Sequence, residues 1–161
     1  MQVRTRKLGL IATTIAALMC ASAAPGAEEH VTMNADAMKW MDAPPALPKG
    51  AKFALLNGDP SKSGSYTVRL KTPAGYKVPP HWHSQAENLT IISGALYLGV
   101  GDTMSTAEAK PLRAGGYHYL PAKAHHFAYT KVPTVIQITG EGPFDIQYLD
   151  PKDDPQKAAM R

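Results

Sequence analysis

Between Phe53 and Tyr148 the apolar residues fall in short runs, several alternating with polar ones, and most runs end at glycine or proline. Phe53–Leu56 closes on Asn57-Gly58-Asp59-Pro60, a strong turn signal. Tyr66–Leu70 alternates Tyr, Val and Leu with Thr and Arg, the period-two pattern of a half-buried strand. Val78–His83, Glu87–Ile92 and Ala95–Val100 follow, and Ser93-Gly94 predicts a tight hairpin between the last two. Lys110–Arg113 carries Pro111 and reads as an edge strand. Tyr117–Leu120, His126–Tyr129, Val135–Thr139 and Phe144–Tyr148 complete a series of about nine or ten short strands. No stretch of helical period interrupts them, so the expected class is all-β, a sandwich or a closed barrel.

The ends of the chain read differently. Arg4, Arg6 and Lys7 precede an uncharged run, Leu8–Cys20, and Ala21-Ser-Ala23 offers a small-x-small cleavage site. Residues 1–23 therefore read as a secretory signal peptide. The run is shorter than the about 20 residues a membrane span needs. The expected location is outside the cytosol, in a bacterial periplasm, with no membrane anchor left after cleavage. Met19 stands before Cys20 where a lipidation signal wants a small residue, which argues against a lipoprotein. Residues 24–52 read as an irregular N-terminal arm. Asn34–Met41 can form one or two helical turns, Trp40 can anchor it, and Pro44, Pro45 and Pro48 bar a regular element after it. The β domain spans 53–149, and 150–161 is a polar tail.

Composition sharpens this picture in two places. The 161 residues suffice for one domain with a real core. The chain has 17 Lys plus Arg against 13 acids, but three of the basic residues lie in the leader. What remains is 14 against 13, a balance that predicts no nucleic-acid partner. The single cysteine is Cys20, so the mature chain has no disulfide, and any metal site in it uses histidine and carboxylate.

The chemistry concentrates between Gly75 and Gly94, which hold His81, His83 and Glu87. Positions i and i+2 of a strand share a face, so His81 and His83 point to one spot with Trp82 turned away. Glu87 shares its parity with Leu89 and Ile91 at the start of the next strand. Two imidazoles and a carboxylate make a plausible site for a divalent first-row metal. A fourth ligand has three candidates, His118, His125 and His126, set in Gly115-Gly-Tyr-His-Tyr-Leu-Pro121-Ala-Lys-Ala-His125-His126.

These two stretches resemble the paired motifs of the cupins, small jelly-roll β-barrel proteins. Gly75, His81, His83, Glu87 and Gly94 match the first motif at every position. Gly115, Pro121 and His126 match the second, with Lys123 where glycine is usual and Thr130 where asparagine is usual. The resemblance spans about residues 50–149 and implies a double-stranded β-helix, or jelly-roll, holding one metal ion through His81, His83, Glu87 and His126. His125, adjacent to His126, would face outward or line the barrel mouth. His118 reads as structural, and His30 belongs to the arm without a role. Tyr66, Tyr97, Tyr119, Tyr129 and Phe144 read mostly as packing, with one or two lining the pocket. Gln137 could bond a ligand if it faces inward.

The ligand set suits iron, manganese, zinc, nickel, cobalt or copper without choosing among them. The function implied is a secreted metal-dependent oxidoreductase, of dioxygenase or oxalate-oxidising type, acting on a small organic molecule. The alternative is a non-enzymatic small-molecule or metal-binding and sensing protein of the cell envelope. The resemblance also implies a homodimer through the N-terminal arm.

Overall fold

The computed structural model describes residues 30–107 and 109–158; the expected signal peptide lies outside them. From Val31 onward the chain forms one compact unit. Among the described residues a 3-10 turn at Ala35–Ala37 precedes eleven strands. These are β1 (Met41–Asp42), β2 (Lys52–Asn57), β3 (Gly64–Thr72), β4 (Lys77–Trp82), β5 (Glu87–Ser93) and β6 (Ala95–Val100). Then come β7 (Lys110–Arg113), β8 (Tyr117–Leu120), β9 (His126–Thr130), β10 (Thr134–Gly142) and β11 (Gln147–Tyr148). A single helical turn, α1 (Pro155–Ala158), follows them.

Among the described residues the strands make two sheets, in the orders β1-β2-β3-β10-β5-β8 and β11-β4-β9-β6-β7. Every pairing is antiparallel. Side chains alternate across each strand, so each sheet turns one apolar face inward. Val68 and Leu70 of β3, Leu89 and Ile91 of β5, and Ile136 and Ile138 of β10 come from the first sheet. They pack with Val78 of β4 and with Leu96 and Leu98 of β6 in one buried cluster. This is the expected jelly-roll, but its strand pairing leaves two facing sheets and no closed barrel among the described residues.

The hairpin expected at Ser93-Gly94 is not formed. β5 pairs with β10 and β8, whereas β6 pairs with β9 and β7. Gly94, at φ 80°, is a corner that carries the chain from one sheet to the other. A Cβ there would stand 2.7 Å from Thr134 Oγ1 and 2.8 Å from Thr134 Cα. The approach of the β10 backbone thus requires glycine, as does the positive φ. Thr134 completes the corner by accepting the Ala95 N–H at 3.2 Å.

Two further readings are corrected, at the last strand and at Tyr119, and the open question at Gln137 resolves outward. The last strand is shortened to Gln147–Tyr148, because Phe144, Asp145 and Ile146 leave the ladder and turn toward the interior. Gln137 lies between the buried Ile136 and Ile138, and its side-chain oxygen accepts Arg69 Nε at 3.1 Å on the outer face. Tyr119 is exposed on β8 rather than packed.

Residues 38–48 wrap the edge of the first sheet. Arg69 Nη1 lies 3.6 Å from Met38 Sδ, and Lys71 Nζ lies 5.8 Å from the Trp40 ring centroid. β1 then pairs with β2. Beyond it the proline-rich stretch crosses the open end between the sheets as a strap. Tyr76 Oη donates to Pro48 O at 2.7 Å and Tyr148 Oη to Ala46 O at 2.8 Å. Leu47 packs on the central cluster.

Candidate metal centre

His81 and His83 come from the end of β4 and just beyond it. Strict alternation from the inward Val78 would turn Pro80 in and His81 out. A β-bulge between Val78 and His81 resets the parity, and His81 then faces His126 of β9 in register. Bulges often re-aim side chains in this way at functional sites. Glu87 opens β5 in the opposite sheet. The four residues therefore meet between the sheets, and all four are buried.

One ring nitrogen from each of His81, His83 and His126 lies within 4.8 Å of the others. Glu87 stands beside them, with Oε2 3.7 Å from His83 Nε2. The other nitrogen of each ring is already taken. His81 Nδ1 meets Pro79 O at 2.7 Å, His83 Nδ1 meets Asp145 O at 2.5 Å, and His126 Nδ1 meets Ala124 O at 2.9 Å. A backbone carbonyl can only accept, so each Nδ1 carries the proton and donates it. In the neutral ring Nε2 is then left as a bare lone pair. Three imidazoles are thus held in the tautomer that ligates through Nε2.

Burial keeps two of these rings neutral. It lowers the His81 pKa to about 2, helped by the neighbouring His126 and His83, and lowers that of His126 to about 4. Glu87 moves the other way, because burial raises its pKa against the pull of His83. Among the described residues no lysine or arginine stands beside this buried carboxyl group. A divalent cation would supply a positive partner, so the residues present fit a metal ion. His81, His83 and His126 can hold it through nitrogen and Glu87 through oxygen, donors that match first-row transition metals.

The chain from residue 28 to 145 matches the family model described as the ChrR Cupin-like domain. This chain is a cupin. Over 80 residues it is 38% identical to germin-like protein 9-3 of Oryza sativa subsp. japonica, a match covering 49% of this chain and 36% of that protein. The chain thus spans about a third of the length of that relative. The acetylacetone dioxygenase of Acinetobacter johnsonii superposes with a TM-score of 0.62 at 19% identity, covering 86% of this chain and 93% of that one. The polyketide cyclase RemF of Streptomyces resistomycificus gives a TM-score of 0.62 at 14% identity, covering 83% and 94%. At these identities the two structures speak for the fold.

The departures from the cupin motifs now have a physical reading. Lys123 adopts φ 64°, the left-handed conformation that glycine at this position would take without strain. Its N–H donates to His83 O at 2.8 Å, so the turn clasps the segment that carries a candidate ligand. Thr130 is buried and its hydroxyl donates to Pro73 O at 2.7 Å. His125 is partly exposed, and its Nδ1 lies 2.6 Å from Asp102 Oδ1. His118 shares the inward parity of Leu120 on β8 but stands outside the histidine group.

The centre of this cupin lines a cavity of about 260 Å³. Its walls are largely aliphatic, among them Val68, Leu70, Leu96 and Ile138, and Pro44, Ala46 and Leu47 of the strap line it as well. The Phe144 ring lies 5.0 Å from the His83 ring and 6.1 Å from the Tyr66 ring, centroid to centroid. Sequence reasoning did not single out the strap as a cavity wall, nor Asp145 as the residue that fixes His83. The strap left one signal, Leu47 among prolines. Asp145 left none, because a backbone carbonyl is invisible in residue type.

Proposed function

We propose that this cupin is a metal-dependent oxidoreductase of dioxygenase type, exported from the cytosol, whose substrate is a small and mostly apolar organic molecule. The observation that carries this reading is the set of three histidines, each with Nδ1 held by a backbone carbonyl and Nε2 left to ligate, converging beside a buried carboxyl group in a largely aliphatic cavity. Bound there, the ion would supply Lewis acidity or oxygen activation. The protein holds the ligand tautomers, excludes water from the aliphatic walls and limits what enters. A volume of about 260 Å³ falls below the about 300–1,000 Å³ of pockets for drug-sized ligands, which favours a smaller molecule. Export is supported by the charged start, apolar run and small-residue site within residues 1–23.

The cavity also supports a second reading, a binding protein without turnover. Beyond the cluster itself, aliphatic side chains make up most of its wall. Metal analysis of the purified protein, followed by oxygen uptake over a panel of small diketones, phenols and organic acids, separates the two. A redox-active metal at one ion per chain with substrate-dependent oxygen uptake supports the oxidoreductase. Redox-silent zinc with tight ligand binding and no uptake supports the binder. Cell fractionation tests export: the mature chain in the periplasmic fraction, beginning near residue 24, is expected.

A further inference from the structure

One polar side chain in the cavity has no task so far. Tyr66 lies on β3, is only 2% exposed and lines the same cavity as the histidines and Glu87. Strand register places Tyr66 opposite Gly140 of β10, and Gly140 opposite Glu87 of β5. The three form one row across the first sheet, with Tyr66 and Glu87 on its inner face and their Cα atoms about 10 Å apart. The glycine in the middle leaves the row open. A Cβ at Gly140 would stand 2.9 Å from Tyr66 Oη and 3.2 Å from Ala86 O, so the phenol lies over the bare glycine on the side of Glu87. Phe144 lies edge-on to Tyr66 and also neighbours the His83 ring, so one aromatic side chain borders both.

Three other buried or half-buried tyrosines spend their hydroxyl groups on backbone. Tyr76 donates to Pro48 O, Tyr148 to Ala46 O and Tyr129 to Thr106 O. Among the described residues Tyr66 Oη makes no such bond, yet no buried polar side-chain atom is sealed off without a partner. Its hydroxyl therefore opens onto the cavity. It also stays protonated, since burial first, and then the charges of Glu87 and Asp145, hold its pKa above the ordinary tyrosine value.

We infer that Tyr66 is a ligand-binding residue of the centre, its hydroxyl donating a hydrogen bond to an oxygen atom of the molecule held at the histidine cluster. The substrate class then narrows to small molecules with an apolar body and an oxygen that can accept this bond, such as an enolate, a phenolate, a carboxylate or a carbonyl. A donor placed in an apolar wall favours the ligand that presents an acceptor to it. This rests on the metal-centre reading above.

The test uses the mature protein loaded with Co(II), with 4-nitrocatechol as a coloured oxygen-donor probe and imidazole as a probe without oxygen. Tyr66→Phe is expected to retain one metal ion per chain, to bind imidazole as the wild type does, and to bind 4-nitrocatechol about tenfold more weakly, the loss of one hydrogen bond. Gly140→Ala keeps the phenol but crowds its hydroxyl, and is expected to weaken the same probe selectively. Equal affinity of wild type and Tyr66→Phe for 4-nitrocatechol overturns the assignment while leaving the centre intact. A wild type that retains no metal overturns the centre, and this assignment with it.

Discussion

Ser84 donates both its backbone N–H and its hydroxyl to Oδ1 of Asp145, at 2.8 and 2.7 Å. The same Asp145 uses its backbone oxygen to accept His83 Nδ1–H. Two adjacent residues, His83 and Ser84, are thus clasped by one residue from the far end of the chain. Asp145→Ala removes the side-chain half of the clasp and loosens the carbonyl that holds the His83 tautomer. Such supporting bonds are worth about 10–100-fold in metal affinity. Competition with a chromophoric chelator is expected to show affinity at least about tenfold weaker, with Ser84→Ala lying between it and the wild type. Affinity unchanged in both variants would contradict this role.

The ligand set is testable position by position. His81→Ala, His83→Ala, Glu87→Ala and His126→Ala are each expected to lose most of the bound metal while keeping the β-sheet circular dichroism of the wild type. His125→Ala is expected to retain it, since that ring is directed to Asp102 at the surface. Metal analysis by mass spectrometry decides; full occupancy in His83→Ala or Glu87→Ala refutes the assignment.

Lys123 is a non-glycine residue at positive φ, a conformation that costs an L-residue about 1–2 kcal/mol. Lys123→Gly is expected to raise the stability of the protein by up to about 1 kcal/mol, because glycine gives back part of the gain as unfolded-state entropy. A β-branched Lys123→Val is expected to lower it. Urea midpoints of the three proteins at constant slope give the comparison.

On the outer face of the second sheet, Gly99 is overlain by the Phe127 ring, and a Cβ there would lie 2.7 Å from its Cε1. Phe127 is buried at 2% exposure and cannot retreat without repacking. Gly99→Ala is therefore expected to destabilise by about 1–3 kcal/mol. Phe127→Ala is expected to cost about 3–5 kcal/mol. A thermal melt in which Gly99→Ala matches the wild type would show that this packing yields easily.

The strap offers a measurement of its own. Tyr148→Phe deletes the bond to Ala46 O and is expected to cost about 1 kcal/mol. Hydrogen exchange is expected to accelerate in residues 43–48 more than in β3 or β10, since local opening follows local contacts. Uniform acceleration across the domain would mean that the strap has no separate stability.

The sequence carried most of the strands, because alternation reports directly which face is buried. Tyr66–Leu70 and Val135–Thr139 lie within β3 and β10 as expected. It misled at Gly94, where a two-residue turn signal and a sheet-changing corner look alike, since both need glycine at positive φ. The proximity of His81, His83 and His126 was legible from motif spacing. The bulge that turns His81 inward was not, because a bulge is a property of two paired strands. The strap, the Asp145 carbonyl and the Tyr66–Gly140–Glu87 row depend on contacts between distant segments, which no local pattern encodes.

Ala46 and Tyr148 are 102 residues apart, and the bond between them joins the strap to the last strand. Closing so long a loop costs chain entropy that must be met before the contact returns anything. The strap is therefore the natural last piece to dock, and the cavity receives this part of its wall after the strands around it have paired.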